Sequence, residues 1–246
     1  MHFKDHFSRH ADVYREARPS YPPALFDWLA GVAPDRKLAW DAGCGNGQAS
    51  VALAERFECV VATDPSAEQV ARAEARPNIA YRVEPAERSS LAEASASVVT
   101  VAQALHWFDA QGFHAEVRRV LKPGGVIAAW SYADCRVTPA VDAVKDRLYV
   151  DLTGPYWPPE RRHIDAGYAT LPFPWQPLQA PRFEMATEWR VDQFLAYLRS
   201  WSASQRYLAA KGQDPVTLVE PDLRTAWGDE AIRRVRWDFH LRAGRC

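Results

Sequence analysis

The chain has 246 residues, 48% of them hydrophobic and 25% charged, with 30 basic and 31 acidic side chains for a net charge of −1. This is the make-up of a folded globular chain, without the basic excess of a nucleic-acid binder; the arginines near the end (Arg233, Arg234, Arg236, Arg242, Arg245) read as solvated flanks of an amphipathic strand. Four scattered cysteines (Cys44, Cys59, Cys135, Cys246) with no CxxC or Cys/His spacing argue against a metal and against a disulfide framework, and the polar N-terminus and the absence of a spanning apolar run point to a cytoplasmic chain with no membrane partner.

From residue 37 to 130 short apolar runs alternate with helical stretches. The runs are Leu38–Trp40, Cys59–Thr63, Ile79–Val83, Val98–Ala102 and Val126–Trp130. They are brief, rich in β-branched residues and apolar on both faces, as buried parallel strands are. Between them the pattern predicts helices over Gln48–Arg56, Ser66–Ala75 and Ala110–Leu121, with Ser66 as an N-cap and Pro123-Gly124-Gly125 as the stop after the last. This alternation implies an α/β fold with a doubly wound, mostly parallel sheet.

After residue 131 the pattern changes. Seven prolines between Pro155 and Pro181, with Trp157, Phe173 and Trp175 among them, predict an irregular cap over the sheet. One helix is predicted over Val191–Tyr207. The strict alternation of Val235–Leu241 predicts an antiparallel strand at the sheet edge.

The chemistry concentrates at the turn after the first strand, Asp41-Ala-Gly-Cys-Gly-Asn-Gly-Gln48. Glycines there let the chain turn sharply and let a ligand approach the backbone. A dinucleotide loop calls for a third glycine where this chain has Gln48. A carboxylate at Asp41 repels a pyrophosphate and attracts a cation. S-adenosyl-L-methionine carries an ammonium and a sulfonium and no phosphate, so it fits this loop better than NAD or FAD. Asp64 ends the second strand, where an acid reaches ribose hydroxyls; the alternative is an acid that serves only the following helix.

These segments together resemble the class I S-adenosylmethionine-dependent methyltransferases. The likeness covers roughly residues 10 to 131 and rests on Tyr14 with Arg18-Pro-Ser-Tyr-Pro22, the glycine loop, Asp64-Pro-Ser66, Pro85-Ala-Glu87, Gln103-Ala-Leu-His-Trp-Phe108 and Arg119-Val-Leu-Lys-Pro-Gly-Gly125. The Ala-Leu-His-Trp-Phe segment is similar to the small-molecule branch that includes trans-aconitate methyltransferases. The resemblance implies a seven-stranded Rossmann-like sheet with an antiparallel C-terminal strand. It divides one domain, 1–246, into an N-terminal lid (1–33), a cofactor-binding core (34–131), the cap (132–182) and a C-terminal part (183–246).

It also implies site roles. Asp41 and the backbone of Gly43, Cys44 and Gly45, with Gln48, would hold the methionine part of the cofactor, with Arg18 on its carboxylate. Asp64 and Pro65 would lie at the ribose, Ala86 and Glu87 at the adenine. Tyr14, Gln103 and Trp107 would complete the cofactor site, Trp107 as an aromatic wall for the sulfonium. His106 is the candidate catalytic residue, ordering the acceptor or taking its proton. Arg161, Arg162 and His163 are candidates to anchor an acid. The expected activity is methyl transfer to a small molecule, leaning to O-methylation of a carboxylate. N- or C-methylation, a non-catalytic relative that binds the cofactor and, further off, a nucleotide-dependent oxidoreductase stand as alternatives.

Overall fold

A computed structural model describes residues 18–246. Its centre is one sheet with the strands β1 (Leu38–Ala42), β2 (Cys59–Thr63), β3 (Ile79–Arg82), β4 (Ala96–Ala102) and β5 (Leu121–Arg136) all parallel, in the order β3-β2-β1-β4-β5. The helices over the sheet are α1 (Pro23–Val32), α2 (Gln48–Ala54), α3 (Ala67–Ala71) and α4 (Ala110–Val120). Successive side chains on each strand go to opposite layers. Ala39, Val98, Val126, Ala128 and Trp130 pack with Leu25, Phe26 and Leu29 of α1 and Leu53 of α2. Trp40, Val99, Val101, Ile127 and Ala129 pack with Phe113 and Val117 of α4. Both faces are covered, which is why these strands read as continuous apolar runs.

Ser66 caps α3 as expected, its hydroxyl accepting from the amide of Gln69 at 3.3 Å. Two predicted helices are shorter than their patterns: α2 ends at Ala54 and α3 at Ala71. Lys122–Gly125 does not separate α4 from its strand. The chain passes directly from Val120 into β5, and these residues bulge out of the ladder between the pairs Ala96↔Leu121 and Val98↔Val126.

The C-terminal half departs further from the pattern. β5 continues to Arg136, five residues beyond the point where the sequence changes character. The final strand, β8 (Arg233–Arg245), runs antiparallel to β5 and is not an edge. Its outer side pairs with β6 (Gln176–Pro177) and β7 (Met185–Trp189), so the sheet has eight strands where seven were expected. The helix predicted over 191–207 is two helices, α7 (Val191–Arg199) and α8 (Ser202–Lys211). The Ser200 hydroxyl bonds back to the Tyr197 carbonyl at 2.6 Å and that of Ser204 to the Leu198 carbonyl at 2.8 Å. Serines that take backbone carbonyls in this way compete with the helical ladder. The cap contains a short helix, α6 (Arg161–Asp165); α5 (Pro139–Asp146) precedes it and α9 (Glu220–Trp227) lies before β8. No helix among the described residues is long and apolar enough to cross a membrane.

α5 is tied to the extension of β5 by a buried ion pair. Lys145 has no exposed surface; its ammonium meets Asp134 on β5 and Asp146, the latter at 2.7 Å. Burial opposes the charge, and the two carboxylates outweigh it, holding the ammonium protonated above its ordinary range. A buried charge stripped of its partner is far costlier than a matched apolar pair. Asp134→Ala is therefore expected to lower the unfolding free energy in urea by about 2–3 kcal/mol, and a further Lys145→Met to recover most of that loss.

Candidate functional site

The strand order reverses between β1 and β4, and loops at the carboxyl ends of strands on either side of such a reversal leave a crevice. A cavity of about 850 Å³ lies there. Sheet order sets its lining side by side: Asp64 and Pro65 after β2, the glycine loop after β1, Gln103, Ala104 and His106 to Asp109 after β4, and Tyr132 on β5.

The glycine loop is shaped by its neighbours. Gly43 has φ +68°, and a Cβ there would stand 2.6 Å from the Ala104 Cβ, so only glycine fits. At Gly45, φ +55°, a Cβ would meet nothing within 4 Å, so main chain is bared to the cavity. The loop amides turn inward. Gly43 and Cys44 donate to the Thr63 carbonyl at 2.8 and 3.0 Å, Gly47 to the Cys44 carbonyl at 2.9 Å, and Gly45 to the Asp64 carboxylate at 2.9 Å. A phosphate cradle needs those N–H groups free. With Asp64, Glu87 and Asp109 also in the lining, this end of the cavity suits a cationic ligand.

Asp41 is not in the lining. It is fully buried beneath the loop, accepting from Ser50 on α2 at 2.6 Å and from Thr100 on β4 at 2.9 Å. Burial raises its carboxyl to about 6 against the pull of those two hydroxyls. With no exposed surface, it supports the loop from behind instead of reaching a cofactor directly. Tyr14 lies outside the described residues. The other proposed cofactor residues line the cavity together: Arg18, Gly43, Cys44, Gly45, Gln48, Asp64, Pro65, Ala86, Glu87, Gln103 and Trp107. Several hold one another. Gln48 donates to the Pro19 carbonyl at 2.8 Å, anchoring the segment that carries Arg18. Asp64 also accepts from the Ser66 amide at 2.8 Å, and Glu87 from the Asp109 amide at 2.8 Å.

Gln103 carries strain. Its φ is +56°, an uncommon conformation for a residue other than glycine. Its side-chain nitrogen donates to the Tyr132 carbonyl at 2.9 Å, and its side-chain oxygen is buried with no partner among the described residues. A buried acceptor left over on a strained residue in the lining of a cavity is available to a ligand's donor.

His106 sits on a 3₁₀ turn, Leu105–Trp107, its ring 4.6 Å from that of Trp107. Its Nδ1 is 3.0 Å from the hydroxyl of Tyr168, a fully buried residue of the cap. A buried phenol cannot leave its proton without an acceptor. The Tyr168 hydroxyl therefore donates to Nδ1, which places the imidazole proton on Nε2. In this form His106 offers the cavity a donor, not a base. Tyr168 is itself pinned at φ +62°, its carbonyl accepting from Arg242 of β8 at 2.6 Å.

The lining also includes residues that sequence reasoning largely missed: Tyr132, Trp157, Tyr197 and Trp201. Tyr132 was within reach, since it follows Trp130 at strand spacing. Trp201 enters the lining because the helix breaks at Ser200. Of the basic cluster 161–163, Arg161 alone lines the cavity. Its Nε donates to Asp165 at 3.0 Å and to the Tyr149 hydroxyl at 3.1 Å, and its guanidinium lies over the Trp157 ring at 4.7 Å. Among the described residues its two terminal nitrogens have no hydrogen-bond partner. His163 is turned away, to Thr170 at 2.7 Å, and Arg162 stands beside it.

Comparison with known proteins agrees with this architecture. Residues 40–129 match a family described as a methyltransferase domain. The chain is 31% identical over 247 residues to a protein of Dictyostelium discoideum assigned as a methyltransferase, spanning 97% of this chain and 94% of that relative. An uncharacterized methyltransferase of Mycobacterium tuberculosis is 41% identical over 134 residues; that match spans about half of each protein, 53% of this chain and 54% of the relative. A solved structure from Anaeromyxobacter dehalogenans, assigned as a type II methyltransferase, superposes with a TM-score of 0.87 at 51% identity, over 93% of this chain and 97% of that one.

The setting of His106 has a consequence for stability. Burial, then the charges of Arg161 and His163, lower its pKa from 6.5 to about 3. Between those values the unfolded chain takes up a proton that the folded chain refuses, so this residue makes stability fall as pH drops from 6.5 toward 3. His106→Asn is expected to lose less melting temperature than the wild type between about pH 7 and about pH 4.5. Nitrogen-15 NMR of the wild type is expected to show a neutral ring protonated at Nε2 throughout that range; an imidazolium at about pH 6 would contradict the assignment.

Proposed function

The chain belongs to the class I S-adenosylmethionine-dependent methyltransferases, and from that premise we propose that it transfers the methyl group to a carboxylate oxygen of a small molecule. The observation that carries the acceptor class is Arg161: a guanidinium fixed by Asp165, Tyr149 and Trp157, with its terminal nitrogens open to the cavity. Such a fork pairs with a carboxylate through two charge-assisted bonds. A cavity of about 850 Å³ is the size of a small-molecule site.

The residues present fit the family's methyl donor. Inward-turned amides and bared carbonyl-bearing backbone at Gly45 favour an ammonium over a phosphate, and the orphaned oxygen of Gln103 is an acceptor in want of a donor. Gly43, Gly45 and Gln103 would hold the methionine part, Asp64 the ribose, Ala86 and Glu87 the adenine. When bound, S-adenosyl-L-methionine supplies a methyl on a sulfonium, whose departure leaves a neutral thioether.

Arg161 and the Nε2–H of His106 together fix the acceptor's carboxylate. An ionised carboxylate forms the new O–CH₃ bond with its own lone pair, the pair of the broken S–CH₃ bond stays on sulfur, and no proton moves. No base is required, which agrees with a histidine held as a donor. The walls contribute alignment and exclusion of water. A neutral hydroxyl or carbon acid would need the base that His106, in this tautomer, does not provide.

Calorimetry with S-adenosylhomocysteine tests the donor half. Asp64→Ala is expected to weaken binding about 100-fold, as two hydrogen bonds to a charged acceptor are lost; unchanged affinity would remove Asp64 from the site. A mass-spectrometric screen for metabolites that gain one methyl group tests the acceptor half. Arg161→Gln is expected to raise KM for the acid so identified by about 30-fold while leaving the S-adenosylhomocysteine affinity within about twofold. A screen that returns only amines or phenols would sink the carboxylate reading.

A further inference from the structure

We infer that the acceptor is an aromatic monocarboxylic acid; this rests on the carboxylate reading above and narrows it. Two features of the acceptor end carry it, the count of charges and the nature of the wall.

Among the described residues the cations lining the cavity are Arg18 and Arg161, against the acids Asp64, Glu87, Asp109 and Glu160. Arg18 is engaged, donating to the Tyr132 hydroxyl at 2.9 Å. Arg161 is left to meet a ligand anion, next to Glu160 in sequence. One carboxylate is matched there. The second and third carboxylates of a polyacid would find no further uncommitted cation in the described lining. The balance selects a monoacid.

The body of that acid meets rings. Tyr132, Trp157, Tyr197 and Trp201 line this end. The Trp157 and Trp201 rings are 5.6 Å apart, and those of Tyr197 and Trp201 5.8 Å. Behind them Trp237 packs on Tyr132 and Tyr197, and Tyr149 on Trp157 and Trp201. The acceptor side of two wall phenols and the one indole donor of Trp157 are already engaged. The Tyr197 hydroxyl accepts from Trp237 at 2.9 Å, the Trp157 indole N–H donates to the Tyr149 carbonyl at 3.2 Å, and the Tyr132 hydroxyl accepts from Arg18. Beyond the O–H protons of Tyr132 and Tyr197, which can donate to an acid's oxygens, these residues offer a ligand carbon and π-surface, held rigid by other rings. Such a wall favours a flat aromatic body, whose ring edges and faces complement the ring quadrupoles and which has little internal freedom to lose. An aliphatic polar body gains nothing comparable from this wall.

The experiment compares matched acids on the intact enzyme with S-adenosylmethionine. Benzoate and 3-phenylpropanoate are set against their ring-saturated counterparts, cyclohexanecarboxylate and 3-cyclohexylpropanoate, and against trans-aconitate, with the methyl esters counted by mass spectrometry. The expected result is a kcat/KM about fivefold higher or more for each aromatic acid than for its saturated partner, with trans-aconitate below both. Trp157→Leu is expected to bring that ratio close to one, and Arg161→Gln to lower all the acids while preserving the ratio. Equal rates for the matched pairs in the wild type, or a preference for the tricarboxylate, would overturn this inference and leave the carboxylate reading standing. Methylation of phenol or aniline with none of any acid would overturn both. A failure of the protein loaded with S-adenosylhomocysteine to bind either benzoate or 3-phenylpropanoate in calorimetry would overturn this inference alone. If Trp157→Leu does not fold, the wild-type ratio still decides.

Discussion

A single buried carboxylate sets the geometry on which the site depends. Asp41 lies at the end of β1 with no exposed surface and is held by hydroxyls from α2 and β4. These are the elements that bound the reversal in strand order. Joining them fixes where the loop leaves β1, and the loop in turn directs its amides toward Thr63 and Asp64. Burial keeps the Asp41 carboxyl high, so the link is a polar one maintained at the cost of desolvation. Without this three-way tie, nothing in the loop's own sequence would favour carbonyls facing the ligand over amides facing it. The orientation of the loop amides is thus set one layer below the surface of the cavity.

The other end of the cavity is organised from much farther along the chain. Arg242 on β8 donates to the carbonyls of Tyr168 and Leu171, each at 2.6 Å, and its guanidinium lies 4.7 Å over the Phe173 ring. That grip holds the cap against the sheet and keeps Tyr168 in a left-handed conformation it would not otherwise adopt. Tyr168 then fixes the tautomer of His106. A strand residue therefore governs which hydrogen a turn residue presents, through one backbone carbonyl and one phenol. The aromatic wall is supported in the same indirect way, by Trp237 of β8 and Tyr149 rather than by residues in the lining.

The legible part of the sequence was the part governed by local rules. Parallel strands covered on both faces announce themselves as apolar runs, and the boundaries of β2 were read to the residue. The glycine loop, Asp64 and the His106 turn were legible because their positions follow from strand ends. What was hidden depended on tertiary partners. Alternation on β8 showed one buried face, and it could not show that the outer edge is paired by β6 and β7, since Gln176-Pro177 has no strand pattern at all. Asp41 was read as a ligand contact because position along the chain does not say on which side of a loop a side chain lies. Tyr168 gave no signal in its irregular segment, and the break at Ser200 was masked by good helical periodicity on both sides.

The place of β8 bears on how the molecule comes together during synthesis. This strand is inserted between β5 and the pair β6 and β7 although it follows both in the chain. The layers around β1 to β5 can form as those residues leave the ribosome, while β6 and β7 must wait for a neighbour that has not yet been made. Until then the β5 edge is bare, a long apolar template for pairing with other chains. Contacts this distant in sequence form slowly. The cap and the aromatic wall both lean on this last strand, through Arg242 and Trp237, so a chain truncated before it keeps the glycine loop and loses the supports of the opposite wall.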